Sequence, residues 1–306
     1  MKRVLVTPRS ATREGHPSLR KLEEAGCEIV MCRPGALPQE EELRELIPGC
    51  VGYVAGVETI SARVFEKADA LKAISRNGTG ADAIDHAAAQ RVGVRILCAH
   101  GANARGVAEL TMALILALAR SLPPTDRSLK AGDWVRHAGF ELEGKTLGLV
   151  GCGRIGRLVT GFAAAFGMQV RASDPFPNWP EAPASFRFAA FEEVCADADV
   201  LSLHCPPPPG GRPLLDAGGL AGLKRGVLLV NTARAGLIET EALLAALDAG
   251  HVAGIGLDVF DEEPPRDRRL LEHPRVIASP HIGGFTPESV DRAMNQAVDN
   301  LLGVLP

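Results

Sequence analysis

The spacing of apolar positions along this chain switches repeatedly between two periods. Short apolar runs at 4–7, 28–32, 51–55, 71–75 and 94–97 have the length and β-branched content of buried strands. Between them, apolar residues recur every three or four positions, the spacing of one helix face. Pro17 suits a first helical turn, and the pattern continues over 18–25. A second helical stretch, 40–47, is closed by Pro48-Gly49. Ser61 is placed to cap a third, which runs to Lys67, and a short one covers 85–91. Such alternation predicts a mostly parallel sheet with helices on both faces. From 106 to 120 runs a helix that is apolar on nearly every side, which predicts burial between domains or between subunits. The segment 122–144 contains Pro123-Pro124, Asp126, Lys130, Asp133 and Trp134, has weak periodicity and predicts an irregular arm. Beyond it the alternation resumes, with strands at 146–150, 168–173, 200–204, 227–230 and 254–259. A last helix over 287–302 has no strand after it and is expected to fold back on the first domain.

One stretch carries a recognisable chemistry. The strand at 146–150 leads into Gly151-Cys152-Gly153-Arg154-Ile155-Gly156, then into a helix with Ile155, Leu158, Val159, Phe162, Ala163 and Phe166 on one face. Gly167 ends that helix, and the next strand stops at Asp174, eighteen residues after Gly156. Strand, G-x-G-x-x-G turn, helix, strand and acid together predict a dinucleotide site. Gly151 permits the tight turn, Gly153 lets the backbone approach a pyrophosphate, and Gly156 lets the helix pack close to the strand. Free N–H groups at the helix start would hold the phosphates. Asp174 can accept hydrogen bonds from the ribose hydroxyls, and its charge opposes a 2′-phosphate, so the expected cofactor is NAD.

Composition and charge exclude several function classes. A chain of 306 residues suits two domains, and 46% apolar residues suffice for a large core. The net charge of −4 offers no basic field for nucleic acid or an anionic membrane surface. One tyrosine and two tryptophans make no stacking platform. The seven cysteines form no C-x-x-C pair, which argues for reduced thiols in a cytoplasm over a disulfide frame or zinc site. The N-terminus lacks the apolar run of a signal peptide, and the longest apolar run, 112–119, falls short of the ~20 residues that span a bilayer.

Three polar side chains follow strand-like runs. The run 228–230 leads to Arg234, the run 255–260 to Glu263, and the run 276–280 to His281. In open parallel sheets, ligands bind beyond the carboxyl ends of the strands. Hydride transfer to a carbonyl needs a proton for the oxygen, and the reverse needs a base; histidine serves both. A carboxylate beside it holds the ring, and arginine supplies a fork for a substrate carboxylate. His204 also ends a strand and is expected to line the cofactor pocket.

These residues resemble one family over essentially the whole chain, the D-isomer-specific 2-hydroxyacid dehydrogenases, and within it the phosphoglycerate dehydrogenases. The resemblance rests on Gly144-Lys145-Thr146-Leu147-Gly148 before the glycine turn and on Asn231-Thr232-Ala233-Arg234-Ala235-Gly236. It rests further on Asp258-Val259-Phe260 with Glu263-Pro264, and on Ser279-Pro280-His281-Ile282-Gly283-Gly284. It implies two doubly wound parallel-sheet domains, a Rossmann NAD domain (99–284) inserted in a smaller flavodoxin-like substrate domain (1–98 with 285–306). The segment 106–144 would be the helix and arm that clasp a second copy in a homodimer. Arg234, Glu263 and His281 would be catalytic. Gly151, Gly153, Arg154, Ile155, Gly156, Asp174, His204, Thr232, Ala233, Asp258 and Gly283 would contact NAD. Asn77 and Gly78, in the loop Ser75-Arg76-Asn77-Gly78-Thr79-Gly80, would receive the substrate carboxylate on their N–H groups, with Arg234 and His281. Arg136 of the partner subunit would approach the distal group.

Two departures are visible. The chain ends soon after its last helix, so no C-terminal regulatory domain is expected. Where phosphoglycerate dehydrogenases often place an arginine for the phosphate, this chain has Gly56-Val57-Glu58-Thr59-Ile60, and Glu58 would repel an anion. The expected activity is interconversion of a small D-2-hydroxy acid and its 2-keto acid with a polar or modestly anionic tail, 3-phosphoglycerate being the leading named candidate. A hydroxypyruvate or glyoxylate reductase and a dinucleotide-sensing corepressor are the alternatives. Formate dehydrogenase is disfavoured, because its histidine pairs with glutamine where this chain has Glu263.

Overall fold

A computed structural model of the chain describes residues 2–305. The chain divides into two compact units, Met1–Asn103 with Phe285–Pro306, and Ala104–Gly284. Both are α/β, each built on one parallel sheet.

The first unit holds strands β1 (Lys2–Val6), β2 (Cys27–Met31), β3 (Cys50–Ala55), β4 (Ala73–Arg76) and β5 (Arg95–Cys98), in the order β2-β1-β3-β4-β5. This is the flavodoxin-like order, with its switch point between β1 and β3. All neighbours are parallel. Parallel strands covered on both faces read as continuous apolar runs, which is why they were legible. The final helix, Pro287–Leu302, belongs to this unit: its buried Met294, Ala297, Val298 and Leu301 join Val4, Val6 and Leu22 in one core. Asn300 donates to the Cys98 carbonyl at 3.0 Å. The first segment of the unit continues past 98 to Asn103, and Ala99 and Ala102 pack on Ala293.

The second unit holds β6 (Thr146–Val150), β7 (Gln169–Ser173), β8 (Phe186–Phe188), β9 (Val200–Leu203), β10 (Val227–Asn231), β11 (Val252–Leu257) and β12 (Val276–Ala278). Their order, β12-β11-β10-β9-β6-β7-β8, is that of a Rossmann sheet, with the switch point between β6 and β9. The strongly apolar helix is Ala104–Ala119. Its apolar faces have partners inside its own unit, since it packs on β10, β11 and the helix Arg154–Ala165. Gly256 makes this possible: a Cβ there would lie 2.9 Å from Leu114. Apolarity on nearly all sides is therefore explained by the Rossmann core and says nothing about a subunit contact.

The arm is not irregular throughout. Leu122–Lys130 is a helix with proline in its first turn, where the missing N–H costs nothing. The prolines that read as breakers act as starters. Residues 133–140 then have no regular structure, and Trp134 is 82% exposed. A six-residue helix, Arg9–Glu14, escaped the sequence reading because it is too short to show a period. Ser61 precedes the helix Ala62–Phe65 but does not cap it; its hydroxyl donates to Glu40 at 2.5 Å. No single helix among the described residues is long and apolar enough to cross a membrane.

Candidate active site

The glycine turn follows β6 at the switch point. Gly151 has φ of 93°, and a Cβ there would lie 2.5 Å from the His204 carbonyl oxygen at the end of β9. Only glycine lets these two strand ends approach so closely. A Cβ on Gly156 would lie 2.5 Å from the Gly151 carbonyl. At Gly153, by contrast, a Cβ would meet nothing within 4 Å. The turn is tight on its protein side and open on the face a ligand would approach. Gly153 begins the helix Arg154–Ala165, whose first N–H groups have no carbonyl within the helix. That is an anion site of the kind a pyrophosphate fits. Asp174, just beyond β7, accepts from the Cys152 N–H at 2.7 Å and the Phe176 N–H at 2.8 Å. It thereby braces the turn from the end of β7.

His204 stands across the switch point. Its Nε2 lies 2.9 Å from the Ser202 hydroxyl, and its Nδ1 is enclosed with no partner among the described residues. Burial pushes this imidazole down to about 4, so it is neutral at neutral pH. The Cys152 thiol in the turn is pushed up to about 11 by burial and stays protonated.

The three chemical side chains share the carboxyl edge of neighbouring strands: Arg234 follows β10, Glu263 follows β11 and His281 follows β12. His281 Nδ1 lies 2.7 Å from Glu263 Oε2, and both side chains are half-exposed. An acceptor-only carboxylate in that place makes Nδ1–H the donor and turns Nε2 outward. The other Glu263 oxygen accepts from the Phe260 N–H at 3.1 Å. His281 has φ of 52°, a left-handed backbone uncommon for a non-glycine residue. Arg234 is partly buried and donates to the Ala233 carbonyl at 2.8 Å. Thr232 is buried, its hydroxyl 3.1 Å from that of Thr111. Asp258, 1% exposed, turns both carboxylate oxygens onto the segment 279–283.

Asn77 and Gly78 lie in the first unit, after β4. The Asn77 N–H donates to the Ala55 carbonyl at 2.8 Å and the Gly78 N–H to the Arg76 carbonyl at 2.8 Å. Both N–H groups expected to hold a carboxylate are thus engaged by their own chain. Glu58 also departs from expectation. It is 3% exposed, and its Oε1 accepts from the Tyr53 hydroxyl at 2.7 Å, the Gly56 N–H at 2.8 Å and the Thr7 hydroxyl. Burial, with the Glu58 charge second, pushes the Tyr53 phenol well above its ordinary range, so tyrosine is the donor. Glu58 closes the switch point between β1 and β3 from within, and Val57, 61% exposed, is what that loop presents. Nothing in a Gly-Val-Glu-Thr sequence indicates which way its carboxylate turns. Arg136 is exposed on the irregular part of the arm.

Residues 112–283 match the family model of the D-isomer specific 2-hydroxyacid dehydrogenase NAD binding domain. D-3-phosphoglycerate dehydrogenase of Rattus norvegicus is 41% identical over 282 residues, which cover 90% of this chain and 52% of that protein. The chain thus spans about half the length of that relative. Hydroxypyruvate reductase of Thermotoga maritima is 40% identical over 269 residues, 86% of this chain and 87% of that protein. A crystal structure of a glyoxylate reductase from Paecilomyes thermophila superposes with a TM-score of 0.86 at 28% identity, covering 99% of this chain and 94% of that one. With the glycine cradle, the Rossmann strand order and the Arg, Glu and His positions already in place, these matches lead to one conclusion: the chain belongs to the D-isomer specific 2-hydroxyacid dehydrogenase family, and its second unit is that family's NAD-binding domain.

Proposed function

We propose that this protein is an NAD-dependent oxidoreductase that interconverts a small D-2-hydroxy acid and its 2-keto acid. The observation that carries the reading is the His281–Glu263 hydrogen bond of 2.7 Å on the strand edge that also bears Arg234, in an NAD-binding domain. NAD, when bound, takes or supplies the hydride. His281 handles the proton at Nε2, giving it to the carbonyl oxygen in reduction and removing it from the hydroxyl in oxidation. Glu263 holds Nδ1–H, which fixes the tautomer and leaves Nε2 to the substrate. Arg234 binds the substrate carboxylate as a fork and draws charge toward the adjacent carbonyl oxygen.

The working form is proposed to be a cytoplasmic homodimer. Large apolar side chains crowd the exposed arm: Leu122, Leu129, Trp134 and Val135 are all about half exposed or more. Crowding of that kind marks an interface, and Arg136 on the same segment would reach the partner's substrate. All seven cysteines are free, in keeping with a reducing compartment. With Glu58 turned inward, its charge no longer opposes an anionic tail. Substrates of the hydroxypyruvate, glyoxylate and 3-phosphohydroxypyruvate type are all proposed, and a phosphate tail would rest on Arg136. The test is steady-state reduction of glyoxylate, hydroxypyruvate, pyruvate and 3-phosphohydroxypyruvate with NADH and NADPH. At least one should be reduced, with NADH preferred by about a hundredfold because Asp174 faces any 2′-phosphate. No turnover of any 2-keto acid by a chain that still binds NADH would reject the reading.

A further inference from the structure

Arg234 and His281 stand on turns outside the sheet, and the His281 turn has a left-handed residue at its centre. Each turn is held by one buried polar side chain at a strand end. Asp258 follows β11 and is 1% exposed. Its Oδ1 accepts from the Ser279 hydroxyl at 2.7 Å and the Ile282 N–H at 2.8 Å, and its Oδ2 accepts from the Gly283 N–H at 2.8 Å. These donors lie on both sides of His281. Asn231 ends β10 and is also 1% exposed. Its Oδ1 accepts from the Ala233 N–H at 3.0 Å, and its Nδ2 donates to the Arg234 carbonyl at 2.8 Å. The two strand ends are tied together, because the Asp258 N–H donates to the Asn231 carbonyl at 3.1 Å.

The two side chains have the same shape and opposite requirements. The His281 turn presents two N–H groups and a hydroxyl that donate to Asp258, which a carboxylate satisfies in full and an amide only in part. The Arg234 turn offers one donor and one carbonyl, which an amide satisfies and a carboxylate does not. We propose that Asn231 and Asp258 are a linked pair of positioning residues that set the Arg234 and His281 turns in register. The proposal rests on the preceding reading for what Arg234 and His281 do. With both oxygens of Asp258 engaged by 279–283, its influence on catalysis runs through that turn. A displacement of about 1 Å at such a site costs about a hundredfold in rate.

Isosteric exchange tests this, because Asp258→Asn and Asn231→Asp keep the packing and reverse one hydrogen-bonding atom each. Three quantities are read on the full chain: amide hydrogen exchange, the Kd for NADH, and kcat with KM for a 2-keto acid. Asp258→Asn should speed exchange at Ile282 and Gly283 by about tenfold or more and lower kcat by about 10- to 100-fold. Asn231→Asp should speed exchange at Ala233 and raise KM by about tenfold, with a smaller change in kcat. Ser279→Ala removes one donor and leaves the carboxylate; it should follow Asp258→Asn by a few fold, and it decides the matter if the isosteric variants do not fold. Unchanged exchange at these amides overturns the proposal. So does weakened NADH binding without faster exchange in Asp258→Asn, which makes Asp258 a cofactor ligand. Absence of any 2-keto acid turnover by the parent chain would sink the functional reading alone, because amide exchange still reports on the brackets.

Discussion

The two units have the same kind of sheet and treat its switch point in opposite ways. In the second unit the crevice between β6 and β9 is left open: Gly153 has nothing within 4 Å of a would-be Cβ, and helix N–H groups face the gap. In the first unit the crevice between β1 and β3 is closed by the chain's own carboxyl group. Glu58 gathers Tyr53, Gly56 and Thr7 on one oxygen, while its Oε2 is enclosed without a partner among the described residues. Strand order alone therefore marks where a ligand could bind, and the side chains that fill or vacate the crevice decide whether one does.

The comparison can be broken first at the closed end. Glu58→Ala takes the acceptor from the buried Tyr53 hydroxyl and weakens the hold on the Gly56 N–H and the Thr7 hydroxyl, and should lower stability by about 2–3 kcal/mol. Urea unfolding measures this, and a loss below about 1 kcal/mol would mean that the crevice is held shut by packing alone. The open end is tested by Gly153→Ala, whose added methyl meets no protein atom within 4 Å. NADH binding should weaken by about a hundredfold while the melting temperature stays nearly constant. A large fall in melting temperature with NADH affinity retained would show that Gly153 serves the fold.

His204 gives a finer test of the open end. Its folded value of about 4 lies below the ordinary 6.5, so the unfolded chain takes up a proton where the native chain does not. Stability attributable to this neutral ring is therefore full above about pH 6.5 and is lost as pH falls toward about 4. Between about pH 7 and about pH 4.5, His204→Asn should lose about 2 kcal/mol less than the parent chain, with allowance for a partly exposed side chain. Parallel acid limbs in the two proteins would show that Nδ1 is not enclosed in solution.

The legible features were those that depend on chain-local order. Fully buried parallel strands read as apolar runs, and the glycine turn reads as a motif whose Gly151 and Gly156 answer distinct steric demands. Arg234, Glu263 and His281 were findable because they follow strands that end on one edge. What sequence did not show depends on which way a side chain turns. Glu58 looked like a charge facing a substrate and is an internal staple. The Asn77 and Gly78 N–H groups looked available and are engaged at 2.8 Å. Asn231 and Asp258 adjoin the candidate catalytic turns in sequence, yet their bracketing role needs the three-dimensional donor pattern. The apolar helix Ala104–Ala119 suggested an interface because its neighbours β10 and β11 are distant in sequence.

In the proposed reaction, His281 moves the proton for a hydride transfer on an NAD domain. The most direct measurement is reduction of a 2-keto acid by His281→Ala, with NADH binding measured on the same protein. A loss of about 10² to 10⁴ in kcat is expected, with the Kd for NADH unchanged. Turnover within a few fold of the parent chain would contradict it.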